Sequence, residues 1–190
     1  MSVERDVRMT EKEKMLARLL YNANYDDELH RERIKCKDLC HEYNQLAPSE
    51  IERQQEIIKT LFGKTKDGFL IVAPFWCDYG YNIEVGENFY ANHNCVILDA
   101  AKVLFGDNVF IAPNCGFYTA GHPLDAEQRN QGLEYAYPIT IGNSVWIGGG
   151  VHIMPGVTIG DNTVIGAGSI VTKDIPSGVI AVGNPCRVLR

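Results

Sequence analysis

Residues 139–176 read ITIGNSVWIGGGVHIMPGVTIGDNTVIGAGSIVTKDIP, and an aliphatic side chain recurs in this stretch at every sixth position. A period of six fits neither the 3.6 residues of a helical turn nor the two-residue alternation of a flat strand, so it predicts a coiled β-solenoid. The residue four positions after each aliphatic is also compact, which suits the inside of a narrow prism. The two inward series are Ile141, Ile147, Ile153, Ile159, Ile165 and Val171, and Val145, Val151, Val157, Thr163, Ser169 and Ile175.

The same repeat occurs earlier in the chain. It runs from Val85 to Val103 and, after an insertion of two residues, from Phe105 to Phe117. The pattern then lapses until Ile141, because residues 118–140 are polar, carry two prolines and lack the periodic aliphatics. Long ordered loops in compact domains are usually functional, so we expect the chemistry in this excursion.

The region before the repeats is predicted to be helical. Residues 10–13 and 49–52 each resemble a capping box at a helix start, and Asp26 or Asp27 is expected to begin a helix between them. The first helix is expected to start ahead of Met15, Leu16, Leu19 and Leu20. These helices are predicted to cover the open first coil, because an exposed solenoid end is a sheet edge.

The expected domains are therefore a helical cap over residues 1–62, a β-helix over 63–177 that includes the loop 118–140, and a C-terminal segment, 178–190. With 190 residues and 45% hydrophobic composition, the chain can bury a core. It has no apolar run long enough to span a bilayer and no signal-peptide centre near its start, which predicts a cytoplasmic protein without a membrane partner.

Charge and cysteine content narrow the function classes. A net charge of −6 without a basic stripe argues against nucleic-acid binding. The six cysteines have scattered spacings, which is typical of small buried side chains in a reducing compartment. Cys36 and Cys40 share a helix face, but a metal site would need two further ligands that the sequence does not identify. We therefore expect no metal.

Several segments resemble one known family. FYANHNCVILD (89–99), YTAGHPLD (118–125), the repeats of 139–176 and GNPCRV (183–188), after an N-terminal LYNANYDDEL (20–29), closely resemble the maltose and galactoside O-acetyltransferases of the hexapeptide-repeat acyltransferase superfamily. The resemblance implies a mainly β fold, a left-handed parallel β-helix with a helical cap. It also implies a homotrimer with active sites between neighbouring subunits, and transfer of acetyl from acetyl-CoA to a hydroxyl of maltose, glucose or a related glycoside.

His122 is the candidate base. It lies between Gly121 and Pro123 at the root of the excursion, where the backbone is restrained. The resemblance makes it the family's catalytic histidine, which would take the proton of the sugar hydroxyl as the oxygen attacks the thioester. The resemblance further implies that Glu134 holds the imidazole in the right tautomer and that Asn92 stabilises the transition state. Without it, Glu134 could be a surface carboxylate and Asn92 a turn former.

The resemblance also assigns the two binding sites. The residues expected to line the CoA site are Trp146, Gly149, Ala167, Thr172, Lys173, Arg187 and Arg190. Those expected at the acceptor site are Asn24, Arg33, Asp78, Tyr90, Asn92 and Asp99. The basic residues could otherwise be ordinary surface charges, and Asp99 a turn residue.

Two departures bear on the acceptor. Ala100 stands where galactoside acetyltransferases carry a second consecutive aspartate, and Asp78 stands where they carry serine. Losing a carboxylate removes a hydrogen-bond acceptor for sugar hydroxyls, which favours maltose or glucose. A galactoside-preferring enzyme is the alternative acceptor class.

A different function class uses the same coil. Carbonic anhydrases of the γ type bind zinc through three histidines, and the solenoid half contains His93, His122 and His152. The H-x4-H pairing of that class is absent. A catalytically silent scaffold is a third interpretation, weakened by the joint presence of His122, Asn92 and Lys173.

Overall fold

The computed structural model describes residues 9–189. The chain begins with helix α1 (Glu11–Leu16), strand β1 (Tyr21–Asn22), helix α2 (Asp27–Gln45) and helix α3 (Ile51–Leu61). The strands of the coil then follow in the order β2 (Lys64–Thr65), β3 (Leu70–Ile71), β4 (Phe75–Cys77), β5 (Ile83–Val85), β6 (Tyr90–Ala91), β7 (Cys95–Leu98), β8 (Val103–Phe105), β9 (Phe110–Ile111) and β10 (Gly116–Tyr118).

The second half of the chain leaves the coil once and then returns to it. It contains β11 (Ala120–Gly121), α4 (Ala126–Asn130), β12 (Leu133–Ala136), β13 (Ile139–Ile141), β14 (Trp146–Ile147), β15 (His152–Ile153), β16 (Thr158–Ile159), β17 (Val164–Ile165), β18 (Ile170–Val171), β19 (Ile180–Val182) and β20 (Arg187–Val188).

The coil strands form three parallel sheets that are the faces of a prism. Face 1 has the order β16-β13-β8-β5-β2, face 3 has β18-β15-β10-β7-β4, and face 2 has β20-β19-β17-β14-β9-β6-β3. The pairing within each face is parallel, except that β20 turns back antiparallel on β19. The predicted parallel β-helix is confirmed.

Both inward series of the repeat lie in the core. All twelve positions of the two series from 141 to 175 are buried, and Thr163 and Ser169 bury their hydroxyls completely. Earlier coils are filled by larger side chains, where Phe105 packs against Phe89 and Phe117 with ring centroids 4.9 and 5.0 Å apart. One hydrophobic core therefore runs along the prism and continues into the cap.

The corners of the prism are built by residues with positive φ. Asn88, Asn94, Asn108 and Asn114 have φ between 53° and 62°, a conformation that asparagine tolerates better than most residues. The side chains stack between coils, because the Nδ2 of Asn88 donates to the Oδ1 of Asn108 at 2.9 Å and that of Asn94 to Asn114 at 3.0 Å.

The N-terminal cap differs in part from the prediction. The capping box between Thr10 and Glu13 is confirmed, and the Asp26 side chain accepts from the Leu29 N–H as expected. The box predicted at residues 49–52 is wrong, because α3 begins after Glu50 without a side-chain cap and that carboxylate instead accepts from the N–H of Ala47.

The first helix is also shorter than predicted. It ends at Leu16, and Arg18 then takes a φ of 60°. Met15 is buried, but Leu16, Leu19 and Leu20 are exposed.

The excursion contains regular structure. β12 pairs antiparallel with β11 on one side and with β1 on the other, so the segment forms a small sheet with the cap. It leaves the prism after β10, at the corner between faces 3 and 1. In residues 9–189 no helix combines the length and apolar character needed to cross a bilayer.

Candidate active site

His122 follows β11, and its ring has a defined hydrogen bond. Nδ1 lies 3.0 Å from the carbonyl oxygen of Leu133 on β12. Because a carbonyl can only accept, Nδ1 carries the hydrogen and Nε2 of the neutral ring carries the lone pair. The side chain is 49% exposed.

Glu134 faces the basic nitrogen of this ring. Its Oε1 lies 3.9 Å from His122 Nε2, and its Oε2 accepts from the hydroxyl of Tyr21 at 3.0 Å. The expectation that Glu134 sets the tautomer is wrong, because the Leu133 carbonyl already bonds Nδ1. The carboxylate is instead placed to stabilise positive charge that develops when Nε2 takes a proton.

A polar cavity of about 180 Å³ adjoins the Glu134 carboxylate. Three of the predicted acceptor residues line it together with Glu134: Asn24, Arg33 and Asp78. The other lining residues are Tyr21, Ala23, Lys37, Tyr79 and Ala100. Carboxylates that accept and amide and guanidinium groups that donate are the complement of a polyhydroxyl ligand.

The charged groups of the cavity are held in place. Arg33 donates from Nη1 to the Tyr79 hydroxyl at 2.8 Å and from Nη2 to the Ala23 carbonyl at 2.5 Å. Burial raises the pKa of Asp78, and the nearby charges of Lys37 and Arg33 act in the opposite direction. Burial also raises the pKa of Tyr21, and the Glu134 charge adds to that effect. Tyr21 therefore stays a hydrogen-bond donor to Glu134.

Asp99 does not offer its carboxylate to this cavity. The side chain is fully buried, and its oxygens accept from the backbone N–H groups of Asp78, Tyr79 and Asn82 at 3.0, 2.8 and 3.3 Å. Burial raises the pKa of Asp99 to about 7. The expectation that Asp99 contacts the acceptor is wrong, because its oxygens fix the turn that presents Asp78.

Two predicted acceptor residues lie elsewhere on the prism. Tyr90 is in β6 on face 2, and Asn92 follows it at the corner between faces 2 and 3, whereas His122 leaves the corner between faces 3 and 1. The Asn92 side chain accepts from the His93 N–H at 2.8 Å. Of the residues that the structure describes, neither Asn92 nor Tyr90 lines the cavity.

Face 2 exposes a row of large apolar side chains on successive coils. Leu70 is paired with Tyr90, Tyr90 with Phe110, and Phe110 with Trp146. Leu70, Phe110 and Trp146 are 47%, 42% and 57% exposed. We call these four residues the apolar row.

Two predicted CoA residues share the corner at which Asn92 lies. Gly149 and Ala167 are on adjacent coils, and the Gly149 carbonyl accepts from the Gly168 N–H at 2.8 Å. Among residues 9–189, neither the Gly149 nor the Ala167 N–H donates a hydrogen bond. A Cβ at Gly149 would meet only the Pro113 oxygen, at 3.5 Å. The corner therefore presents two free donors next to open space.

The other predicted CoA residues lie near the end of the coil. Thr172 and Lys173 are exposed just after β18, and Arg187 is exposed in β20, where its Nη1 donates to the Cys186 carbonyl. In the described stretch neither Lys173 nor Arg187 forms an ion pair. Arg190 lies outside the described residues.

Two family models match the chain. Residues 14–66 match the maltose acetyltransferase hexapeptide capping motif, and residues 138–173 match six repeats of the bacterial transferase hexapeptide. The first covers the helical cap, which the repeats alone do not specify.

Solved structures agree along nearly the whole chain. A maltose O-acetyltransferase from Clostridium difficile 630 is 55% identical, covers 96% of this chain and 97% of its own, and superposes with a TM-score of 0.94. The chain belongs to the maltose and galactoside O-acetyltransferase family. A galactoside acetyltransferase in complex with coenzyme A is 48% identical, with a TM-score of 0.92 and coverage of 96% and 91%.

A third structure, a hexapeptide-repeat acetyltransferase from Vibrio cholerae complexed with acetyl-coenzyme A, is 36% identical. It covers 96% of this chain and 98% of its own, with a TM-score of 0.87. The chain is thus an acetyltransferase, and the predicted family and enzyme class are confirmed.

The histidines of this acetyltransferase do not converge as a zinc site would require. Nδ1 of His93 lies against the Ala73 carbonyl, whereas Nδ1 of His152 bonds the Tyr118 hydroxyl at 3.0 Å. Over residues 9–189, the one group of three side chains able to share an ion consists of cysteines. In the described part of the chain, nothing favours the γ-carbonic-anhydrase interpretation.

Sequence reasoning missed several residues of the acetyltransferase site. Tyr21, Leu133 and Tyr79 were not identified, although Tyr21 lies in the quoted segment LYNANYDDEL. A backbone carbonyl such as that of Leu133 leaves no signal in the residue type. The pairing of β1 with β12, which brings Tyr21 to Glu134, links positions 113 apart.

Proposed function

We propose that the chain is an acetyl-CoA-dependent sugar O-acetyltransferase whose acceptor is maltose, glucose or a related glycoside. One observation carries the proposal: His122 has the lone pair on Nε2, and Glu134 links this nitrogen to a cavity of polyol-binding groups. The names of two relatives, a maltose and a galactoside acetyltransferase, support the same acceptor class.

The reaction needs one proton relay. His122 Nε2 takes the proton of the acceptor hydroxyl while the oxygen attacks the acetyl carbonyl of the thioester. The tetrahedral intermediate expels the CoA thiolate, and the imidazolium returns the proton to that sulfur. Glu134, 3.9 Å from Nε2, stabilises the imidazolium between the two transfers. The products are the acetyl ester and CoA with a free thiol.

The cavity accounts for the acceptor class. The carboxylates of Asp78 and Glu134 accept from sugar hydroxyls, whereas Arg33 and Asn24 donate to ring and glycosidic oxygens. Ala100 adds a methyl group to the wall instead of an acceptor. An apolar wall discriminates weakly among sugar epimers. We therefore propose that the enzyme accepts a broad set of sugars, including glucose and maltose, and does not select galactosides strictly.

The donor site is proposed at the corner with the free amides. The Gly149 and Ala167 N–H groups would donate to carbonyl oxygens of acetyl-CoA, and Trp146 would pack beside its arm. Lys173, Arg187 and Arg190 would neutralise its phosphates, with Thr172 donating a hydroxyl. Asn92 lies at the same corner, and the structure shows no partner for its Nδ2 within residues 9–189. That group would stabilise the oxyanion of the intermediate.

The separation of the two sets of residues supports a homotrimer. His122 and the cavity lie at one corner of the prism, and Asn92, Tyr90, Gly149 and Ala167 lie at or beside another, so one chain does not hold a complete site. The apolar row on face 2 is a patch of the kind that marks a protein interface. A cyclic assembly would bury this row and place each His122 against the proposed acetyl-CoA site of a neighbouring subunit.

A cytoplasmic location is part of the proposal. All six cysteines are free thiols, which suits a reducing compartment.

The decisive experiment replaces the base. His122→Ala should lower kcat by about 10²–10⁴-fold, measured as CoA thiol release with maltose, with the acetylated sugar identified by mass spectrometry. His41→Ala, on the exposed side of α2, is the matched control. A His122→Ala enzyme within a few-fold of wild type would remove the base from the mechanism. Sedimentation equilibrium tests the trimer, and a fully active monomer would contradict the shared site.

A further inference from the structure

Three cysteine side chains meet between the cap and the first coil. Cys36 and Cys40 are one turn apart on α2, and Cys77 is the last residue of β4. The Cys77 sulfur lies 3.5 Å from that of Cys36 and 3.8 Å from that of Cys40, and all three sulfurs are within 4.8 Å of one another. We call them the thiol cluster.

The thiol cluster is buried and has no part in the acetyl-transfer site. The three residues are at most 3% exposed, and none of them lines the acceptor cavity. The remaining cysteines, Cys95, Cys115 and Cys186, are also buried. They form no such group in the described part of the chain, so burial alone does not explain the convergence.

Two of the three sulfur–sulfur distances are close to those of a metal thiolate centre, and the third is within 4.8 Å. With a metal–sulfur bond of about 2.3 Å, sulfurs are about 4.0 Å apart in a trigonal plane and about 3.8 Å apart in a tetrahedron. The observed 3.5 and 3.8 Å differ from these values by a few tenths of an ångström. An ion could therefore enter with little movement of α2 against β4.

We propose that Cys36, Cys40 and Cys77 bind one copper(I) ion per chain in a three-coordinate thiolate site. Soft sulfur ligands select copper(I) and zinc among the biological cations. Structural zinc almost always takes four ligands, whereas residues 9–189 supply no fourth histidine, cysteine or carboxylate within reach of the three sulfurs. Copper(I) forms a complete coordination shell with three thiolate ligands.

An entry path and a charge partner are present. A surface cavity of about 180 Å³, lined by Glu32, Lys35 and Tyr81 among others, reaches Cys36 from solvent. Binding would release the thiol protons to water, leaving negative charge on the sulfurs. The positive charge of Lys37 acts on Cys40 and opposes that cost, whereas the negative charge of Asp99 acts on Cys36 and Cys77 and adds to it. Affinity for the ion should therefore rise with pH.

The test uses the full chain, reduced and freed of metal under anaerobic conditions. Copper(I) is titrated in competition with bicinchoninate, and the copper–thiolate absorption and luminescence are recorded. We expect one equivalent per chain and a rise in Tm of about 5–10 °C when free copper(I) is a hundredfold above Kd. Cys36→Ser, Cys40→Ser and Cys77→Ser should each weaken binding at least 100-fold.

Cys115→Ser is the matched control, because that buried sulfur donates to the Gly148 carbonyl at 3.2 Å and serine can keep the bond. Circular dichroism and sedimentation establish that each variant folds. If Cys77→Ser does not, Cys36→Ser and Cys40→Ser still decide the matter. Uptake unaffected by all cluster variants, or zinc binding that copper(I) cannot displace, would overturn the proposal. The proposal would also be overturned if Cys36 and Cys77 were found in a disulfide and its reduction did not lead to copper uptake. None of these readouts depends on acetyl transfer.

Discussion

Replacing Glu134 by glutamine tests how the carboxylate acts on His122. Glutamine keeps the shape and can still accept from the Tyr21 hydroxyl, which is 3.0 Å from Oε2, but it removes the charge. At the observed 3.9 Å between Oε1 and Nε2, a unit charge pair is worth about 1 kcal/mol in water and about 4 kcal/mol at an effective dielectric constant of 20.

The exposure of His122 decides between these limits. Its side chain is 49% exposed, so solvent screens the pair and the lower part of the range applies, about 1–2 kcal/mol. Because the charge pair is formed when Nε2 takes the proton of the acceptor, the loss should fall on kcat, by about 5–30-fold. The KM for acetyl-CoA should stay near that of wild type.

The assay is steady-state thiol release with saturating maltose and acetyl-CoA. Glu127→Gln, an exposed carboxylate of α4, is the matched control and should leave kcat unchanged. The same Glu134→Gln change is then made in the His122→Ala enzyme, where it should have almost no effect. A Glu134→Gln enzyme within twofold of wild type, or an equal loss in both backgrounds, would refute charge stabilisation through His122.

Three further predictions concern stability, donor binding and acceptor choice. Since burial raises the pKa of Asp99 from 3.8 to about 7, the native state binds that proton more tightly than the unfolded state. The free energy of unfolding should therefore fall as pH rises from about 4 to 7, by up to about 4 kcal/mol. Measured by urea titration at several pH values, the unfolding free energy of Asp99→Asn should depend less on pH than that of wild type. The same pH dependence in both proteins would contradict the assignment. Lys173→Ala and Arg187→Ala should each raise the KM for acetyl-CoA roughly 5–30-fold, less at high salt, while the KM for maltose barely changes. Ala100→Asp should raise the ratio of galactoside to glucoside kcat/KM about tenfold, and an unchanged ratio would show that position 100 does not select the epimer.

Local sequence was sufficient to predict the coil. The hexad positions could be predicted because each coil requires a compact inward side chain at the same place. Every further repeat therefore supports the same interpretation. Short-range signals also placed a helix start at Asp26 or Asp27 and His122 at the root of the excursion. They failed at Leu19 and Leu20, which lie beyond the end of α1 at Leu16.

The composition of the site was only partly readable. The resemblance identified Asn24, Arg33, Asp78 and Glu134, which the structure brings around one cavity. The resemblance also identified Asp99, whose oxygens accept from backbone N–H groups. It could not distinguish a carboxylate that binds the sugar from one that holds a turn, because both roles require the same residue type. The tautomer of His122 depends on the Leu133 carbonyl, a group that every residue carries.

The sequence by itself thus determined the solenoid, the cap and the family, because those rest on periodicity and on contiguous motifs. The tertiary structure alone decided which groups meet. Tyr21 reaches Glu134 across 113 positions and Cys77 reaches Cys36 across 41, and such distances are set by how many coils and turns intervene. The physical reason is that a side chain's type fixes what it can bond, whereas the packing of distant segments fixes the partner it finds.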